Sequence, residues 1–397
     1  LIRAGEDVSW TGEQGLLLER GHDVVNYTRD NREIERLSSW RTGLRTVWSM
    51  EDYRSLRETI RGCRPDVMTV HNFFPLISPA AYYAARAENV PVVQVLHNYR
   101  LLCLGSYLFR KGHVCEDCLG KSFPWPGVIH GCYRQNMAIS GVVAAMLTTH
   151  RALRTWKRMV DVYVALTDFS KEKFIQGGLP AERIVVKPNF VHLDPGAGKG
   201  NGGYALYVGR LSTEKGLDTM IAAWKELGQS FPLKIVGEGA LADRVTQAAE
   251  NNPAIEYLGG KSSGEVAELI KRASFLIFPS RWYEGLPLTI IESYAAGTPV
   301  IASALGAMNS LVKHGRTGLH FRPGDATDLI RQVKWVLSHP AELAVMRREA
   351  RCEFEAKYTA DKNYEMLMHI YSLALRSREK SGKVYEQKTR PSEAGGD

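Results

Sequence analysis

Two runs of alternating strand-like and helix-like segments, separated by one Gly-rich stretch, limit what this chain can fold into. In the first run, short strand-like segments stand at 23–27, 66–70, 91–96, 162–166 and 183–187, with helical patterns at about 51–62, 79–88 and 138–158. In the second, strands are expected at 204–208, 233–236, 255–258, 275–278, 299–302 and 318–321. Helices are expected there at 216–227, 240–250, 263–272, 287–296 and 326–338. Strands that alternate with helices lie parallel, because a parallel neighbour needs a crossover long enough to hold a helix. Pro188 and Asn189 break the first run, and 195–203 (PGAGKGNGG) has the composition of a flexible linker. The expectation is an α/β chain of two Rossmann-like domains, 1–190 and 204–360, joined by 191–203. Open parallel sheets bind ligands beyond the carboxyl ends of their strands, so the cleft between the domains is the expected site. A length of 397 residues suits two cores.

Both ends of the sequence carry expectations of their own. Residues 1–8 (LIRAGEDV) lead straight into a helical pattern that reaches Leu18, where such a domain normally begins with a strand. The first strand is therefore read as missing. Helical patterns at 340–357 and 361–376 follow the second domain, the last read as crossing back to the first. Residues 377–397, charged and poor in apolar groups, read as disordered.

Charge and hydropathy narrow the partners. The formal net charge of +8 suits an anionic partner: a nucleotide, a phosphate-bearing lipid or a membrane surface. No stretch reaches the ~18 apolar residues of a membrane span, and no signal peptide is seen, so a cytoplasmic protein is expected, with peripheral contact on the inner face of a membrane as an option. That option rests on 36–64, where seven Arg stand against three acids and Trp40, Trp48 and Tyr53 are interleaved. A basic, aromatic, amphipathic segment favours an anionic lipid surface; a solvated basic face is the alternative. The basic residues are scattered and no nucleic-acid motif occurs, so nucleic acid is not an expected partner.

The chemistry concentrates where strands of the second run end. Glu284 to Glu292 (EGLPLTIIE) sets two carboxylates eight positions apart. Glu284 lies on the loop after strand 275–278, and Pro287 suits the first turn of the next helix, where a missing N–H costs nothing. A helix start offers free N–H groups to phosphate, and an ionised carboxylate beside it accepts hydrogen bonds from sugar hydroxyls. Two solvated or capping acids would be the plainer account of an isolated pair. After strand 204–208 come Arg210 and Lys215 on one loop bounded by Gly209 and Gly216. A guanidinium fork and a mobile ammonium suit a pyrophosphate, or simply a solvated turn. Gly237 and Gly239 follow strand 233–236, where small residues let a flat base approach the backbone.

Taken together, GRLSTEKG, VGEG and EGLPLTIIESYAAGTPVIA, in this order, resemble the retaining glycosyltransferases of family 4, which have the GT-B fold. The resemblance extends over essentially the whole chain and includes 167–190 (TDFSKEKFIQGGLPAERIVVKPNF) as a hinge-side segment. It implies a nucleotide-diphosphate sugar held mainly by the second domain. Arg210 and Lys215 would hold the diphosphate, Glu292 the ribose hydroxyls and Glu284 the donor sugar. The backbone of Gly285, Leu286, Pro287 and Leu288 would meet the diphosphate or sugar. His97, in VLHNYR, matches the family's active-site His, and His71, after strand 66–70, would be its acceptor-side neighbour. Gly5 and Glu6 match the end of the family's first Gly-rich loop, with Ala4 where Gly is usual. The resemblance further implies transfer with retention, without a catalytic metal, onto a glycan or lipid-linked acceptor, in bacterial polysaccharide, lipopolysaccharide or glycolipid synthesis. Two rival readings are a sugar-nucleotide epimerase of similar fold and a catalytically impaired nucleotide-sugar-binding protein.

The cysteines need a separate account. Cys115 and Cys118 form a C-x2-C pair flanked by Cys103 and Cys132, in a turn-rich insertion at about 100–135 just after His97. Four thiols with one tight pair can hold a structural zinc; an iron–sulfur cluster and unliganded thiols are the alternatives. A similar insertion occurs in a subgroup of the family.

Overall fold

The computed structural model describes residues 5–36 and 38–389. Two parallel sheets dominate. The first has four strands in the order Met68–Val70, Val92–Leu96, Val162–Ala165, Ile184–Val186. The second has six, in the order Gly318–Phe321, Val300–Ser303, Phe275–Phe278, Ala205–Val208, Leu233–Val236, Ile255–Tyr257. Counted along the chain this is the doubly wound order 3-2-1-4-5-6, whose direction reverses between Ala205–Val208 and Phe275–Phe278. Strands are buried on both faces, as Phe275–Phe278 and Val300–Ser303 illustrate, which is why they read as unbroken apolar runs. One apolar cluster fills each domain, and a third contains Val95 and Leu166 of the first together with Leu286 and Ile290 of the second. This is the GT-B arrangement.

Four expectations change. Residues 23–27 form no strand: Tyr27 and Arg29 instead donate to the buried carboxylate of Asp52, at 2.8 and 2.7 Å. The pattern at 138–158 divides into helices Met137–Ala152 and Thr155–Arg158, because Arg154 between them takes a left-handed backbone, φ 55°. Residues 195–203 are not free. The N–H groups of Gly198, Gly200 and Gly202 donate to Ala296, Lys271 and Arg272 carbonyls at 2.8–3.0 Å, and a Cβ on Gly198 would stand 2.2 Å from the Lys271 oxygen. The glycines serve close backbone approach there. The last helix runs over Ala360–Thr389, beyond the expected 376; Arg, Lys, Glu and Gln extend helices readily. Residues 1–4 and 390–397, parts of the expected opening loop and disordered tail, lie outside the described residues.

That last helix lies on the first domain. Arg378 donates to the Val90 carbonyl at 2.8 Å, and Asn363 to that of Pro188 at 2.8 Å. The chain thus crosses between domains twice, near 190 and near 358. The crossings touch, the Val191 N–H donating to the Tyr358 carbonyl at 3.2 Å.

Candidate functional site

The loops after Val208 and Phe278 leave the sheet at the point where its winding reverses, and there they interlock. Gly216, at φ 72°, lies so close to the Pro279 carbonyl that a Cβ would stand 1.9 Å from it. The Lys215 side chain is thereby fixed over the second loop. Its Nζ donates to Glu284 Oε1 at 2.7 Å. Ser280 Oγ and Trp282 Nε1 donate to the same oxygen at 2.6 and 2.7 Å. All three bonds converge on Oε1, so Oε2 of this buried carboxylate is left for other donors.

Arg210 is on the same loop but is not drawn in. Its side chain is 44% exposed and donates to Glu214 at 2.9 Å, which also accepts from Ser212 at 2.7 Å. Gly237 and Gly239, at φ 145° and 153°, face backbone: Cβ atoms there would stand 1.9 Å from the Gly209 oxygen and 2.4 Å from the Leu211 oxygen. Loop-on-loop closeness accounts for both glycines without a ligand. Helix Leu288–Ala295 starts after Pro287 with no side-chain cap, so its first N–H groups are available to an anion. Glu292, one turn in, is half-buried. Burial raises its carboxyl above the usual range, and it accepts no hydrogen bond from the described side chains.

The first domain meets this loop directly. A Cβ on Gly285 would stand 3.1 Å from the His97 oxygen. Tyr99 and Thr167 donate to the Glu284 and Gly285 carbonyls at 3.4 and 3.3 Å. The His97 and His71 rings lie 20° from parallel with centroids 5.2 Å apart, and His97 Nε2 stands 2.9 Å from His71 Nδ1. Burial, then His71 and Lys187, hold His97 well below the usual imidazole range, so it is neutral. Behind His71 lies a buried ion pair, Glu13 with Lys187 at 2.9 Å. Burial alone would raise Glu13, but Lys187 and His71 keep it below the usual carboxylate range. Gly5 begins helix Gly5–Glu19; Glu6 beside it accepts from Asn72 and Asn98, at 3.0 and 3.4 Å, just past two strand ends.

The structure thus gathers Lys215, Glu284, Gly285 and, across the cleft, His97 and His71. Sequence reading missed Glu13 and Lys187. Lys187 stands immediately after strand Ile184–Val186, so the rule that singled out His71 and His97 would have found it. Glu13, one acid on a helix, gave no such signal.

The cysteine insertion is ordered by the core. Leu101, Leu102, Leu104 and Leu108 are buried in the first domain's cluster, and Arg151 ties down the Leu101 and Lys121 carbonyls at 2.9 and 2.7 Å. The insertion also reaches the Glu284 loop: Tyr107 meets Trp282 edge-on at 4.8 Å. Cys103, Cys115, Cys118 and Cys132 are free thiols lining one pocket. Burial, with the neighbouring thiols, pushes Cys118 up to about 11. Among the described residues, no three His, Cys, Asp or Glu side chains stand grouped as a ligand set for a metal ion.

The basic segment is less basic than its composition. Arg45 pairs with Glu51 and Asp52, and Arg57 and Arg61 with Glu88. Trp48 packs on Tyr53 and Tyr83. What faces outward is Trp40, with Arg41 over its ring, and Leu44 one turn on. No helix among the described residues is long and apolar enough to cross a membrane.

Comparison with known proteins covers both halves. A glycosyl transferase 4-like domain matches residues 15–189, and glycosyl transferases group 1 matches 195–353. Glycogen synthase of Mycobacterium tuberculosis is 36% identical over 313 residues, 74% of this chain and 65% of that protein. An uncharacterized glycosyltransferase of Methanocaldococcus jannaschii is 32% identical over 191 residues, 48% of this chain and 53% of that protein. The chain thus spans between half and two thirds of these relatives. The crystal structure of Anabaena Alr3699/HepE in complex with UDP-glucose superposes with a TM-score of 0.65 at 15% identity, over 93% of this chain and 96% of that one. At that identity the likeness speaks for the fold.

Proposed function

We propose that this chain, whose halves belong to the glycosyl transferase 4-like and group 1 families, is a retaining glycosyltransferase that uses a nucleotide-diphosphate sugar. The observation that carries the proposal is the Lys215–Glu284 pair, held at 2.7 Å where the second sheet reverses its winding. One cation and one carboxylate with a spare oxygen suit the two ends of such a donor. Lys215 and the uncapped helix start face the diphosphate, which gains negative charge as it departs. Oε2 of Glu284 accepts from a sugar hydroxyl. Glu292, a half-buried carboxylate without a protein partner, takes the ribose hydroxyls. Arg210 exchanges Glu214 for phosphate oxygens. Attack by the acceptor hydroxyl on the face the diphosphate leaves gives retention, with Glu284 as a positioning group rather than a nucleophile. Trapping of a glycosyl ester on Glu284 would overturn that assignment. The acceptor is read as a glycan or lipid-linked glycan of bacterial polysaccharide or glycolipid synthesis. The donor reading agrees with the UDP-glucose named for the superposed structure.

A thermal-shift screen against UDP, GDP, ADP and their sugars tests this first. A ligand at 100 times its Kd should stabilise the fold by about 2.7 kcal/mol, and the sugar that shifts it should then be transferred. Epimerised product would favour the epimerase reading, and binding without turnover the impaired-binder reading. Because cations of the chain itself face the diphosphate, added magnesium or manganese should leave the rate unchanged; a rate that requires either ion would overturn the metal-free account.

The four thiols are read as ligands of a structural zinc. Four thiols around one pocket are a donor set zinc favours, although their side chains would have to rotate to close on it. Purified protein should carry about one zinc per chain. Cys118→Ser should lower both the metal content and the melting temperature. Metal-free protein with all four thiols titratable would refute this.

Trp40 and Leu44, with Arg41 beside them, are read as a contact for anionic lipid. Trp40→Ser with Leu44→Ser should cut cosedimentation with phosphatidylglycerol vesicles several-fold. Equal binding of the double variant would refute it.

A further inference from the structure

We infer that Glu13 is a positioning residue that sets the tautomers of the His71–His97 pair, so that His97 offers a hydrogen-bond acceptor at Nδ1. The inference deepens the reading of His97 as an active-site group and rests on it. Five polar groups from five parts of the chain stand in line. Asn363, on the last helix, accepts from Lys187 Nζ at 3.1 Å. Lys187 Nζ donates to Glu13 Oε2 at 2.9 Å. Glu13 Oε1 lies 3.7 Å from His71 Nε2, and His71 Nδ1 lies 2.9 Å from His97 Nε2. Glu13 and Lys187 are both buried.

Geometry and charge leave one arrangement favoured. Burial lowers His71 as well, despite the nearby Glu13, and two neutral imidazoles whose nitrogens meet at 2.9 Å share one proton between those nitrogens, because two lone pairs or two N–H groups would repel. The tautomer of one ring therefore dictates that of the other. A carboxylate oxygen near His71 Nε2 attracts an N–H and repels a lone pair, so His71 carries its proton on Nε2. Its Nδ1 then accepts, His97 donates from Nε2, and His97 Nδ1 keeps its lone pair. No described group bonds to that nitrogen. A hydroxyl of donor sugar or acceptor bound against it would donate. Without the carboxylate, the Lys187 charge acts unopposed and favours a lone pair at His71 Nε2. Both tautomers then switch, and His97 Nδ1 becomes a donor.

Nitrogen NMR on histidine-labelled protein reads this directly, since protonated and unprotonated imidazole nitrogens are distinct. Wild-type His97 should be protonated at Nε2 and Glu13→Gln should move the proton to Nδ1. Turnover of the variant should fall on the order of tenfold or more, and Glu13→Asp should restore the wild-type tautomer. Wild-type His97 protonated at Nδ1 would overturn the inference, and decides the case even if Glu13→Gln fails to fold. An unchanged tautomer in folded Glu13→Gln would also overturn it. Failure of the wild type to transfer any sugar would instead sink the functional reading and leave the tautomer assignment standing.

Discussion

Lys215→Ala should abolish measurable transfer, with a fall in kcat of at least ~10²-fold, the scale of losing one preorganised group that stabilises developing negative charge. The loss should exceed what removal of a surface lysine would give, for two reasons. Lys215 is held by the interlocked loops and its side chain is 18% exposed, so it is aimed before the donor arrives. Its removal also takes one of three donors from Glu284 Oε1, so the carboxylate that receives the sugar is less firmly held. Glu284→Ala should be as damaging from the other side: it strands Lys215, Ser280 and Trp282 in a buried site, at ~1–3 kcal/mol for each unsatisfied donor. Steady-state kinetics with the donor found by the screen checks both. Retained turnover in either variant would remove that residue from the site.

Gly216→Ala should be among the most disruptive methyls that can be added near the site. Its Cβ would sit 1.9 Å from the Pro279 carbonyl, and the backbone is at φ 72°. Overpacking costs ~1–3 kcal/mol, and a left-handed alanine adds ~1 kcal/mol or more. At about 2–4 °C per kcal/mol for a domain of this size, the second domain should melt roughly 5–15 °C lower. Gly264→Ala is the control: that glycine lies in helix Ser263–Arg272 with open space around it, so the change should be neutral or stabilising by ~0.5–1 kcal/mol. Equal melting temperatures for the two variants would refute the interlocked-loop account.

Much of this was legible in the sequence because strand ends are. Leu233–Val236, Phe275–Phe278 and Gly318–Phe321 begin and end where the apolar runs do. Residues at the carboxyl ends of strands must reach the cleft, which is how Lys215, Glu284 and His97, after Ala205–Val208, Phe275–Phe278 and Val92–Leu96, stood out. What escaped was pairing between distant segments. A strand-like segment at 23–27 looks the same whether or not a neighbour lies beside it, and the buried Asp52 that holds this segment is one acid among many. Glu13 met Lys187 through the fold alone, 174 positions apart. Arg45, Arg57 and Arg61 counted as free charge until their acids were found opposite. In the Gly-rich segment at 195–203, composition spoke for freedom where the glycines in fact serve contact.

The side-by-side crossings at Val191 and Tyr358 have a mechanical meaning. One strand of chain between two bodies lets them bend, twist and slide. Two strands, hydrogen-bonded to each other, act as a door hinge: they resist torsion and shear and leave rotation about a single axis as the soft motion. Opening and shutting along that arc would part His97 from Gly285 and return it to the same register, so the two halves of the site cannot be reassembled askew.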